Sequence, residues 1–181
     1  MKRISLKGII ILIAGAVWIW ISAALPGSTS NSHIPVPREG FLAPDFSLQT
    51  TGGETITLSE LRGQPVLIHV WASWCLPCRA EMPAIQRLYD EYRENGFLVL
   101  AVNTTSQDDP QAAAAFVEEH KLTFPILLDI EWVVSTLYNV NALPTSFFVD
   151  RDGIIQEVVV GGPMAGASLQ DRIEKLTGKA P

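Results

Sequence analysis

The order of segments along this chain predicts an α/β domain, a central mixed β-sheet flanked by helices with a small β-hairpin at its N-terminal side. Short β-branched runs alternate with stretches of helical periodicity. Two of those runs, "PVLIHVW" and "FLVLAV", are apolar apart from His69, as strands covered on both faces are. Near the end, two strand-like runs flank "DRDG", a tight-turn signal that makes them an antiparallel pair.

Along the chain, Phe46 to Gln49 and Thr55 to Thr57 flank the turn "TTGGE" and read as the hairpin. "LSELRGQ" follows as one helical turn stopped by Gly63. Pro65 to Trp71 is the first buried strand. Met82, Ile85, Leu88, Tyr89 and Tyr92 then recur at helical spacing until Asn95 and Gly96 end the helix. Phe97 to Val102 is a second strand, Asp109 and Pro110 cap a helix running to about His120, and Phe124 to Leu128 returns as strand. Glu131 to Tyr138 is helical, Thr145 to Val149 and Ile154 to Val160 are the paired strands, and Ser168 to Leu176 closes as an amphipathic helix near Gly178.

Ahead of this domain, at 41–178, three further segments are expected. Residues 1–7 form a basic stub with Lys2, Arg3 and Lys7. Residues 8–25, "GIIILIAGAVWIWISAAL", carry no charge and would make a helix about 27 Å long, enough to cross a bilayer. The basic flank places the stub in the cytoplasm and the rest of the chain outside, with Trp18 and Trp20 near the outer interface. A cleaved signal peptide, cut near Ser22, Ala23 and Ala24, is the alternative. Residues 26–40 hold eight Pro, Gly or Ser in fifteen positions and read as a flexible tether in which His33 is solvated.

Without the three stub cations the chain keeps 10 basic residues against 19 acidic ones. That acidic balance argues against nucleic acid or anionic lipid as a ligand.

Only two cysteines are present, Cys75 and Cys78, within "WASWCLPCRAEMP". A disulfide closing so short a loop contributes little stability. Structural zinc needs four ligands, whereas no second cysteine pair exists and His33, His69 and His120 are scattered. Buried inert thiols are the ordinary reading of a lone cysteine, but two at C-x-x-C directly after a buried strand in an exported chain point to redox work. Cys75 falls where strand gives way to helix, so unpaired amide N–H groups and the helix dipole favour its thiolate. Cys78 is one turn further in. Cys75 is therefore expected to attack, facing solvent, and Cys78 to resolve. Pro77 fits the first turn of the helix, whereas Pro83 lies deeper and is expected to kink it.

The stretches "APDFSLQTTGGETITLSELRGQPVLIHVWASWCLPCRAEMP", "FLVLAVN", "FPILLD" and "LPTSFFVDRDG" resemble the membrane-anchored thiol-disulfide oxidoreductases of the TlpA/ResA/CcmG type, which have the thioredoxin fold. The resemblance covers Ala43 to Thr177. It implies that the strand and helix between Phe97 and Leu128 are an insertion relative to plain thioredoxin. Cys75 and Cys78 match the redox pair. Pro144 matches the family's cis-proline, standing beside the cysteines and exposing the backbone of Leu143, with Trp74, Pro77 and Thr145 completing the substrate-binding surface. Glu81 matches an acid that tunes protonation of the pair. His69 departs from the pattern, since relatives often carry Asn there. It is either a satisfied core histidine or a relay that carries the proton to or from Cys78.

The resemblance implies a protein-disulfide reductase that uses no cofactor beyond the Cys75–Cys78 disulfide, acts as a monomer on substrates such as apocytochrome c, and is recharged by a membrane-embedded thiol reductant. An oxidant of protein thiols is one alternative. A thiol peroxidase is another, but its threonine would fall at Ala72, which offers no hydrogen bond, and a copper-delivery protein lacks a histidine after His120.

Overall fold

The computed structural model describes residues 34–178. The stub, the apolar segment 8–25 and the tether as far as His33 lie outside the described residues. Among the described residues no helix is long and apolar enough to cross a membrane.

Strand β3 (Val66–Trp71) is the centre of the domain, and all six of its residues are buried. It runs parallel to β4 (Leu98–Asn103) and antiparallel to β6 (Thr145–Val149). Outside these lie β5 (Ile126–Leu128), parallel to β4, and β7 (Ile155–Val160), antiparallel to β6. The five-stranded order β5-β4-β3-β6-β7 is a mixed sheet, as expected. The segment between Phe97 and Leu128 thus supplies β4, a helix and the edge strand β5. A separate hairpin pairs β1 (Ser47–Gln49) with β2 (Thr55–Thr57).

Alternation along β3 decides which layer each side chain joins. Leu67 and Trp71 face a core built with Met82 and Ile85 of α1 (Leu76–Tyr92), Phe116 of α2 (Pro110–Glu119) and Ile173 of the C-terminal helix Gly166–Thr177. Ile68 and Val70 face the opposite core with Leu48, Leu58 and Val134, the last from α3 (Val133–Leu137); the C-terminal helix is α4. Each such side chain contributes roughly 1.5–3 kcal/mol by leaving water, so both layers hold β3 in one register. His69 points by the same alternation to the α1 side.

Helix ends follow the local chemistry anticipated from the sequence. Asp109 caps α2 by accepting from the Gln111 amide at 2.9 Å, with Pro110 in the first turn. Helix α1 runs through Pro83 and passes into a short 3₁₀ turn that ends at Gly96, whose φ of 85° suits a residue without Cβ.

The boundary of the domain lies earlier than expected. Residues 35–40, assigned above to the tether, are hydrogen-bonded to the domain: the Gly40 amide donates to Ile155 O at 2.8 Å, and Glu39 Oε1 accepts from the Val158 amide at 2.9 Å. Leu42 bridges both Pro35 and Ile154. These backbone groups pair because β7 is otherwise an open edge, which a neighbouring segment satisfies and protects.

Candidate active site

The two sulfurs form a disulfide, with the Cα atoms of Cys75 and Cys78 5.3 Å apart. Cys75 is the N-cap of α1, with φ −78° and ψ 102°, and its sulfur accepts from the Cys78 amide at 3.3 Å. The first turn of α1 contains no acidic residue to oppose the helix dipole, so negative charge on Cys75 is favoured here. The expectation that Cys75 faces solvent is corrected by its exposure, which is 4%, against 0% for Cys78. Trp74 and Leu76 stand out on either side, 56% and 77% exposed, and Pro77 is half-buried. A partner sulfur can therefore approach Cys75 through a narrow opening and cannot reach Cys78 from outside.

A clamp fixes the segment that leads into Cys75. Asp108 accepts from the Ser73 amide at 2.6 Å, from Ser73 Oγ at 2.5 Å and from Asn103 Nδ2 at 2.6 Å. Nearby, the Trp74 indole N–H donates to Gln107 O at 3.0 Å, and Arg79 donates to Ser73 O at 3.2 Å while lying over the Phe116 ring. The turn after β4 thus holds the reactive loop in place.

Beneath the pair lie two buried ionisable groups. Glu81, one turn after Cys78 on α1, is 1% exposed rather than solvated. Its Oε1 accepts from the Met164 amide at 2.5 Å, while Oε2 has no hydrogen-bond partner. Burial raises the pKa of this carboxyl, and the Met164 amide partly offsets that rise. His69 Nδ1 lies 2.9 Å from Ser146 Oγ and 3.9 Å from Glu81 Oε2; its Nε2 is buried without a partner. Burial lowers the pKa of His69 to about 4, so the imidazole is neutral at neutral pH.

The Leu143–Pro144 bond is cis, and Leu143 is half-buried, just outside the β6 ladder that begins at Thr145. Thr145 is buried and donates from Oγ1 to Ala142 O at 2.7 Å. The Pro144 carbonyl accepts from the Gly161 amide at 2.8 Å.

Sequence reasoning passed over the loop at 161–164 that closes this site from the β7 side. Its Gly162–Pro163 bond is also cis. A Cβ added at Gly162 would stand 2.2 Å from Glu81 Oε1 and 2.9 Å from Pro144 Cγ, so only glycine lets this loop seat against both. "GGP" was the available signal. Ser146 and Asp108 were passed over as well, because a serine in a strand and an aspartate in a turn carry no distinctive pattern.

This geometry has counterparts among known proteins. The family model described as "AhpC/TSA family" matches residues 40–158. The chain belongs to that family. Thioredoxin-like protein YneN of Bacillus subtilis (strain 168) is 44% identical over 125 residues, 68% of this chain and 72% of the relative. Thiol-disulfide oxidoreductase ResA of Oceanobacillus iheyensis is 35% identical over 170 residues, 92% of this chain and 82% of the relative. In structure, a candidate thiol:disulfide interchange protein DsbE from Chlorobium tepidum superposes with a TM-score of 0.70 at 33% identity, covering 76% of this chain and 96% of that one. The fold is thioredoxin-like, and the protein is a thiol-disulfide oxidoreductase with Cys75 and Cys78 at bonding distance.

Two measurements check the buried part of the site. Gly162→Ala is expected to cost about 1–3 kcal/mol of stability in urea denaturation, because the loop must move off Glu81 and Pro144. The second concerns pH. Folded His69, at about 4, binds its proton later than the unfolded chain does at about 6.5, so its contribution to stability is lost as pH falls across that interval, by about 3 kcal/mol in all. Glu81 acts oppositely, since the folded state takes its proton first and acidification relieves a cost. His69→Asn should therefore gain about 3 kcal/mol relative to the parent between pH 7 and pH 4.

Proposed function

We propose that this protein is an extracytoplasmic reductant of protein disulfides, held at the membrane by residues 8–25, with apocytochrome c as its substrate class and a membrane-embedded thiol reductant as its source of electrons. The observation that carries the chemical part is the pair at the mouth of α1, with Cys75 just accessible and Cys78 sealed. The resemblance to membrane-anchored relatives and the apolar run at 8–25 support the location and the substrate class.

In the reduced protein the Cys75 thiolate attacks one sulfur of the substrate disulfide. That bond breaks, the departing thiolate takes a proton, and a Cys75–substrate mixed disulfide forms. Cys78 then gives up its proton and attacks Cys75 Sγ, releasing the second substrate thiolate. Two electrons have passed to the substrate and the Cys75–Cys78 disulfide remains. Glu81, one turn from Cys78, exchanges this proton: as a carboxylate made more basic by burial it takes the proton from Cys78 and returns it to the released substrate thiolate. His69, whose Nδ1 lies 3.9 Å from Glu81 Oε2, works with that carboxyl as the relay that carries the proton to or from Cys78. The protein works as a monomer and needs no other cofactor.

Direction is tested by equilibrating the pair with glutathione. A potential of roughly −250 mV or lower is expected for a reductant; a value near −120 mV would make the protein an oxidant. For the relay, His69→Asn is expected to displace the pH profile of thiol exchange while leaving the amplitude of the reaction intact. An unchanged profile in stopped-flow exchange with a peptide disulfide would leave His69 a core residue only.

A further inference from the structure

Beside the dithiol runs a small cleft of about 180 Å³, bounded by Trp74 and Trp132 with Thr104, Val140, Asn141 and Leu143. No charged side chain lines it. Its volume is below the range of small-molecule sites and suits a single large side chain.

Trp132 is the unusual member. Its backbone lies in the left-handed region, φ 60° and ψ 24°, where a bulky side chain is sterically disfavoured. The conformation is enforced from below. Asp129, fully buried, accepts from the Val134 amide at 3.2 Å, the Ser135 amide at 2.9 Å and Ser135 Oγ at 2.7 Å, fixing the start of α3. Burial of the indole does not repay this arrangement, since Trp132 is 44% exposed and belongs to neither core. A strained residue held rigidly with its ring toward solvent points to a role in what it presents.

Position says what that role is. One end of the cleft is Trp74, directly before Cys75, and another is Leu143, directly before Pro144. In a mixed disulfide the partner's Cα stands about 5.5 Å from that of Cys75, and each further residue of an extended substrate adds about 3.3 Å. A side chain next to the reacting substrate cysteine is thereby carried over this cleft. Trp74 cannot turn away to meet it differently, because its indole N–H is engaged by Gln107 O.

We infer that Trp132 is a specificity residue of the disulfide exchange: with Trp74 it grips one bulky apolar or aromatic side chain adjacent to the reacting cysteine of the protein substrate. The inference rests on the dithiol chemistry proposed above. Burial of one such side chain between two indoles corresponds to a preference of about tenfold or more over a small polar one.

The test uses the pre-reduced 181-residue protein and two disulfide-linked peptides, identical except for Phe or Ser beside each cysteine, with second-order rate constants from acid-quenched time courses. The parent is expected to favour the Phe peptide by about tenfold or more. Trp132→Ala should bring the ratio close to one, and Trp132→Phe should retain most of it. Should the alanine variant fold poorly at φ 60°, Trp132→Gly accommodates that backbone and should show the same loss of ratio. Equal ratios in the parent and its variants would overturn the assignment of Trp132. A parent that reduces neither peptide would overturn the dithiol chemistry as well, whereas one that reduces both without preference would overturn the specificity assignment alone.

Discussion

Everything in the site depends on β3 being covered on both faces. Its six residues are buried between two apolar layers, so the strand cannot slide by one residue without turning Ile68 and Val70 into the layer of Leu67 and Trp71. With the register fixed, the chain must leave the sheet after Trp71 and begin α1 at Leu76. The residue at that junction caps the helix, and here it is a cysteine. The low-dielectric surroundings and the free amides of the first turn then act on one sulfur and not on the other.

The same burial imposes an expense. His69 and Glu81 are both removed from water, and neither is fully compensated: Nε2 of one and Oε2 of the other lack partners. Burial accordingly favours the neutral form of each, lowering the pKa of His69 to about 4 and raising that of Glu81. An apolar pair of similar size would stabilise the fold at least as well, which makes the retention of these groups beneath a redox centre physically pointed.

Much of this was legible in the sequence because it depends on local rules. Strands β3 and β4 announced themselves as short, largely apolar runs, Asp109 and Pro110 as a helix start, and the two cysteines as a C-x-x-C pair. The docking of residues 35–40 was not legible, since a Pro- and Ser-rich stretch reads as linker until a sheet edge is known to need covering. Nor was the reduced exposure of Cys75, which follows from its place in the core on the α1 side of the sheet. Trp132 escaped notice for a similar reason: nothing in "DIEWVV" signals that the Asp129 carboxylate will fold back and force the tryptophan into a left-handed turn.

The docked segment also marks one end of the sheet. Leu42 bridges Ile154, next to the turn after Val149, and Val149 pairs with Val66, whereas Thr145 at the other end of β6 pairs with Val70 and adjoins Pro144. The chain therefore reaches the domain at one pole of the sheet and the reactive sulfur sits at the other, roughly 15–20 Å away along the strands. The segment that covers the β7 edge and the surface that meets a partner sulfur therefore occupy opposite ends of the sheet, so that shielding the edge leaves the approach to Cys75 unobstructed.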